Sequence, residues 1–237
     1  MIRFPKGKRV EQLALPRTGR RDSVWLVVVE FLIVIALFFA DWTHHVYFSK
    51  VPFLFLLGWI SLRWRGLGWR DVGLTRPVSW RRTIVIGVVC GIGMELLELF
   101  VTQPLLVKWT GRMPDLSDLG DLRGNWKLML LFVALSWTLA AFGEEMVYRG
   151  YLMNRVAGLF RNPKVAWTVS LIAVSFVFGL GHIDQGITGQ VENMINGLLL
   201  GVIFLATGCN LWAAIIAHGV TDTIDIVLLY LGKYPAA

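Results

Sequence analysis

Charge is what this 237-residue sequence has little of: Asp, Glu, Lys and Arg make up 16% of it, against about 25% in soluble proteins. With 56% of its residues hydrophobic, the shortage excludes an ordinary water-soluble globule, because a body this small cannot hide so much apolar surface. Lipid accepts the excess as outward-facing surface. Mean hydropathy of +0.62 points the same way. Cysteine is nearly absent too. Cys90 and Cys209 lie in or beside apolar segments, which leaves no disulfide framework, no CxxC metal pair and nothing of a secreted scaffold. The chain also lacks internal repeats, low-complexity segments and any polar linker long enough to divide it into separate domains, so a single domain is expected.

What is present is a series of apolar runs near the roughly 20 residues that cross about 30 Å of hydrocarbon. Seven stand out: 24–40, 46–62, 83–107, 126–142, 165–180, 191–206 and 211–231, of which 191–206 has the weakest signal. The expected fold is all-α, a polytopic transmembrane bundle of about seven to eight membrane helices, with an eighth helix or a re-entrant segment left open. Trp25, Trp42, Trp64, Trp69, Trp80, Trp109, Trp126 and Trp212 flank many of these runs, as suits amphipathic rings at the headgroup level.

The net charge of +7 and pI near 9.7 do not indicate a nucleic-acid partner, since the basic residues sit between apolar runs rather than in one patch with interleaved aromatics. They behave as topology signals. Residues 1–23 carry seven Lys or Arg and no apolar core ending at a small-residue cleavage site, so they are expected to be a basic cytoplasmic tail preceding a membrane domain at 24–237. Six more basic residues fall between Arg63 and Arg82 and four between Arg149 and Lys164. A cytoplasmic N-terminus thereby places 17 of 23 basic residues inside.

A charge at the bilayer centre costs on the order of 2.5 to 3.5 kcal/mol on insertion scales, so ionisable groups within the runs are functional candidates. Glu30, Glu95, Glu98, Glu144, Glu145, His182, His218, Asp222 and Asp225 are such groups. For Glu30, alone in the first run, a structural polar contact is the favoured reading, whereas Glu95 and Glu98 are suited equally to lining a wet cavity or binding a neighbouring helix. The others concentrate in a motif-bearing core at about 126–231. In FGEEMVYRG, Glu145 and Arg149 stand at i and i+4 and can pair, leaving Glu144 about 100° around the helix on another face. In SFVFGLGH, Phe178 precedes His182 by four residues, with two glycines that admit close approach of another helix or a substrate backbone. His218, Asp222 and Asp225 form an i, i+4, i+7 stripe on the last run. Two His and several carboxylates on three helices are the ingredients of general acid–base hydrolysis or of a metal site.

These residues resemble a known signature. Glu144 to Arg149 is similar to EExxxR, Phe178 to His182 to FxxxH, and His218 to Asp222 to HxxxN/D, in order on separate apolar segments. The pattern resembles the CPBP family, which joins type II CAAX prenyl endopeptidases to Abi-type and bacteriocin-immunity homologues. The segment Trp69 to Leu74, WRDVGL, is similar to a frequent family element before a span. The resemblance implies a membrane endopeptidase in which Glu144 and His182 activate water, Glu145 and Arg149 hold each other and position the helix, and His218 with Asp222 stabilises the oxyanion. Asn is usual in the prenyl-protein branch where this chain has Asp222, and an ionised Asp cannot donate a hydrogen bond. Asp222 is then either protonated or orients His218.

A metal-free mechanism is implied by the same resemblance, so no cofactor is expected. A divalent ion remains the alternative, ligated by Glu144, His182 and His218. HExxH, GxGD and a GxS with a paired His are all missing, which leaves zincin-like, GxGD and rhomboid-like chemistry unsupported. Expected partners are the bilayer, in a bacterial-type inner or plasma membrane, and a peptide or protein substrate that is itself suited to membrane anchoring; no oligomeric state follows. The competing readings are a non-enzymatic immunity or scaffold protein of the same family and a small transporter, the latter lacking visible inverted repeats. Helix arithmetic adds one geometric expectation: for Glu144, His182 and His218 to meet, the hairpin around Arg155 should project from the cytoplasmic face into water.

Overall fold

The structure, a computed structural model, describes residues 23–47 and 49–235. The basic tail assigned to 1–23 therefore lies outside the described residues except for Ser23, as do the last two residues of the 24–237 membrane domain. Seven helices follow in order: α1 (Val24–Trp42), α2 (Val51–Trp64), α3 (Trp80–Thr110), α4 (Trp126–Ala157), α5 (Pro163–Leu180), α6 (Gly186–Ala206) and α7 (Leu211–Tyr230). No strand occurs among the described residues. Six of the helices are long and apolar enough to cross a membrane, and α2, with 14 residues, is shorter.

Local chemistry sets where the helices begin. Ser23, Ser79, Asn125, Asn162 and Asn210 each accept a backbone N–H of the first turn of α1, α3, α4, α5 and α7, a cap worth about 1 kcal/mol apiece. Proline fixes the first turn of α2 and α5. It also explains why the second helix starts at Val51 rather than at residue 46. Lipid-facing surface is overtly apolar: Leu32, Phe39, Val89, Phe100, Leu105 and Ile172 are all exposed.

Small residues bring the inner helices together, because lipid offers no hydrophobic drive to press them together and close van der Waals contact does the work instead. A Cβ on Gly87 would stand 2.6 Å from Ile216, and one on Gly91 2.5 Å from the Ala217 carbonyl, so α3 and α7 pack almost backbone to backbone. Gly219 lets α7 close on Trp137 of α4. Gly179, the first glycine of the SFVFGLGH segment, abuts Met194 and the Gln190 carbonyl, joining α5 to α6.

Two features correct the sequence reading. The fourth run does not stop at residue 142 but continues as helix to Ala157, carrying Glu144, Glu145 and Arg149 within one continuous element. A hydropathy window sees those charges as an end, whereas the interior pairs Glu145 with Arg149 and leaves Glu144 on a cavity wall. The second correction concerns Arg155, which is 1% exposed rather than carried into water. Its Nε donates to Glu30 Oε2 at 2.7 Å, while Arg65 Nη2 and Ser61 Oγ each donate to Glu30 Oε1 at 2.6 Å. Buried Glu30 requires cationic donors, and Arg supplies them with the least desolvation cost, so the end of α4 is clamped against α1 and α2. The structural role favoured for Glu30 is what the fold shows.

The antiparallel order leaves two distinct ends. At one, the Leu211 N–H donates to the Gly73 carbonyl at 3.1 Å and Asn210 Nδ2 to the Thr75 carbonyl at 2.9 Å. At the other, the Asp115 N–H donates to the Gln185 carbonyl at 3.0 Å and that of Gly124 to the Tyr230 carbonyl at 2.9 Å.

Candidate active site

Helix α4 is locally wide. Ser136–Glu144 and Met146–Leu152 adopt π-helical turns that meet at Glu145. Such turns concentrate at functional sites, because the extra residue re-aims side chains relative to a regular helix. Here the two adjacent acids diverge. Glu145 is fully buried, whereas Glu144, 7% exposed, lines a cavity of about 510 Å³.

Glu145 is the centre of a network across three helices. Arg149 Nη1 donates to its Oε1 at 2.6 Å, and Arg149 Nη2 donates to the Gly197 carbonyl of α6 at 2.9 Å. From α7, His218 Nδ1 stands 3.0 Å from the same Glu145 oxygen. An ionised carboxylate only accepts, so this geometry puts the proton on Nδ1 and turns Nε2 away from Glu145. Phe178 closes the network from α5: the Arg149 guanidinium lies 4.6 Å from its ring centroid.

Asp222 sits one turn beyond His218. Its Oδ1 is 3.6 Å from His218 Nε2, in ion-pair range but too long for a hydrogen bond, and its Oδ2 accepts from Ser136 Oγ at 2.6 Å. The ring of His218 is therefore held from the Nδ1 side by Glu145, with Asp222 flanking the opposite nitrogen. His182 lies in the turn between α5 and α6, and its Nδ1 is 2.8 Å from the Phe178 carbonyl. A carbonyl cannot donate, so Nδ1 carries the hydrogen and Nε2 keeps its lone pair. Burial, reinforced by the Lys50 ammonium, pushes the imidazole down to about 3 and keeps it neutral.

Glu144, His182, His218 and Asp222 thus line one cavity, while Glu145 and Arg149 stand behind it as support. Among the described residues no hydrogen bond reaches the Glu144 carboxylate, which leaves it open to a water or substrate atom. No three His, Cys, Asp or Glu side chains among the described residues are grouped so as to hold a metal ion, and Glu144, His182 and His218 share the cavity without such convergence.

Sequence reasoning missed Ser136, whose hydroxyl meets Asp222 across 86 positions, and the Gly197 carbonyl, since neither carries a local signal. It also missed Glu192, a carboxylate inside the sixth run. The rule that singled out Glu95 applies to it equally. Glu98, Glu192 and Asp225 line the same cavity.

Residues 125–224 match the family model described as type II CAAX prenyl endopeptidase Rce1-like. The match runs from the N-cap of α4 to within α7, embraces all three motifs, and shows over that region the likeness to the CPBP family read from them. At a coarse level it supports a membrane protease. No curated protein and no solved structure matches the chain.

Proposed function

We propose that this protein is a membrane-embedded endopeptidase that uses a glutamate-activated water. The observation that carries the reading is the pairing of an open carboxylate, Glu144, with a neutral His182 on the wall of a cavity whose third member, His218, is locked by Glu145. Glu144 takes a proton from water while His182 Nε2 accepts the second water hydrogen and fixes its orientation. The water oxygen adds to the scissile carbonyl carbon. The oxyanion is met by His218 as the imidazolium, its Nδ1–H committed to Glu145 and its charge balanced by Glu145 and Asp222, so that Nε2–H is free to donate. Glu144 then returns the proton to the leaving nitrogen as the C–N bond breaks. Low local dielectric strengthens each of these interactions.

The direction of substrate entry follows from combining charge with geometry. The cavity is lined toward its mouth by Ser49, Pro114, Leu116 and Gln185, all at the end opposite the start of α1. Among the described residues, basic residues gather at the other end, on the loops 65–79 and 158–162. By the positive-inside rule the proposed mouth faces away from the cytoplasm. That sidedness favours a peptide presented from the non-cytoplasmic face over a prenylated cytoplasmic tail.

The scaffold alternative draws on the same Glu145–Arg149–His218 network, which ties α4, α6 and α7 whether or not chemistry occurs. Comparative proteomics of membranes holding wild-type protein or Glu144→Gln separates the two. New C-termini or peptide fragments seen only with the wild type are expected; identical peptide profiles with equal cellular function would favour the scaffold.

A further inference from the structure

Four carboxyl groups gather at the cavity: Glu98 from α3, Glu192 from α6 and Asp225 from α7 line it, and Glu95 from α3 stands beside Asp225 and Glu98. Glu95 is 1% exposed, Glu192 2% and Glu98 7%. Neutral groups satisfy some of the set. Asn196 Nδ2 donates to Glu98 Oε2 at 2.7 Å, the Tyr234 hydroxyl to Glu98 Oε1 at 3.4 Å, and Thr102 Oγ1 to Glu192 Oε1 at 3.0 Å. Both oxygens of Glu95, Oε2 of Glu192 and Oδ1 of Asp225 are enclosed and meet no amide, hydroxyl or cationic donor. The Glu95 carboxyl is within hydrogen-bond reach of the Asp225 carboxyl, with Glu98 and Asp222 as further electrostatic neighbours. No ion pair to these four acids forms among the described residues, in contrast to Glu30 and Glu145, each of which has its arginine. Buried acids of one sign without a cation are costly, and partnerless oxygens add to that cost.

We infer that this part of the cavity is a subsite for a cationic side chain of the peptide substrate, an ammonium or guanidinium held by Glu98, Glu192 and Asp225, with Glu95 behind Asp225. The inference rests on the endopeptidase reading and adds a substrate class to it. An organic cation suits the site better than a metal ion, because the orphan oxygens belong to three helices and do not converge as a metal would require. A guanidinium spreads five N–H donors over a plane, and an ammonium turns three on a flexible stem, so both can serve dispersed acceptors. The register is compatible with one bound peptide. Asp225 lies seven residues beyond His218 on α7, about 10 Å along the axis, which is the reach of about three extended residues or of one adjacent residue with an extended Arg side chain. The basic residue thus falls within about three positions of the scissile bond.

The test uses the full chain carrying Glu144→Gln in lipid nanodiscs, so that binding is read without turnover. Two N-acetylated fluorescent peptide pools are compared by anisotropy, alike except that one carries arginine where the other carries its neutral isostere citrulline. The arginine pool should bind at least about tenfold more tightly, and adding Glu192→Gln or Asp225→Asn should erase most of that preference while elution as a folded monodisperse species is retained. Removing the acetyl group should add little, which assigns the contact to the side chain rather than to the α-amine. Equal binding of the two pools, no binding of either up to millimolar concentration, or a preference untouched by both acid substitutions would overturn the inference. Wild-type protein completes the comparison. Cleavage of both pools at equal rates would remove the subsite and leave the endopeptidase, whereas arginine-selective binding without cleavage of either pool would leave the cation site and remove the endopeptidase.

Discussion

His218 on α7 and Arg149 on α4 share one oxygen of Glu145, the histidine Nδ1 at 3.0 Å and the guanidinium at 2.6 Å. One buried carboxylate therefore fixes both the orientation of a cavity-lining histidine and the attachment of α4 to α6 through the Gly197 carbonyl. Its neighbour Glu144 carries neither duty. This division of labour between adjacent acids makes their substitutions distinguishable.

Glu144→Gln should lower hydrolysis by about 10² to 10⁴ with little loss of thermal stability, because the amide keeps the shape but not the basicity. Glu145→Gln removes the negative charge facing fully buried Arg149, a change of the kind that costs about 3 to 5 kcal/mol. Thermal unfolding in detergent beside a cleavage assay checks the contrast. Equal destabilisation by both would contradict it.

At Asp222, asparagine keeps an acceptor for Ser136 Oγ and adds an amide donor beside His218 Nε2. Asp222→Asn should therefore preserve substantial activity, whereas Asp222→Ala should reduce it by about tenfold or more through loss of the group that flanks the histidine. Ser136→Ala should fall between them. Steady-state rates on one cleavable peptide would order the three, and an asparagine variant worse than alanine would refute this account of the position.

Sidedness is open to chemical labelling. Tyr47 is fully exposed at the mouth end of the bundle, and Arg70 is exposed at the opposite end. With Cys90 and Cys209 replaced by serine, an impermeant maleimide added to intact cells should modify Tyr47→Cys and spare Arg70→Cys until the membrane is opened. The reverse pattern would invert the proposed orientation.

The pH dependence of stability carries a definite sign at His182. Burial lowers its folded pKa from 6.5 to about 3, so the unfolded chain takes up a proton that the folded chain refuses. The contribution is complete above the unfolded value and is lost progressively as pH falls from 6.5 toward 3. Unfolding midpoints in detergent between pH 7 and pH 4 should drop less steeply for His182→Asn than for wild type. Parallel curves would show that His182 is not held neutral.

Composition and periodicity alone determined an all-helical chain of seven apolar segments and picked out the ionisable groups within them, because lipid punishes misplaced charge so strongly that each exception is visible locally, whereas grouping those residues into three motifs rested on the family resemblance. The pairing of Glu145 with Arg149 was legible for the same reason, since four residues on one helix settle it. Only the tertiary structure decided that Glu30 would bind Arg155 across 125 positions, that α4 would run on to Ala157, and that Glu145 rather than Asp222 would hold Nδ1 of His218. It also decided that Glu192 would join Glu98 and Asp225 around one cavity. These outcomes depend on which helices lie side by side. Glycine-sized contacts such as Gly87 and Gly91 against α7 set that arrangement, and a hydropathy pattern carries no record of which partner they meet.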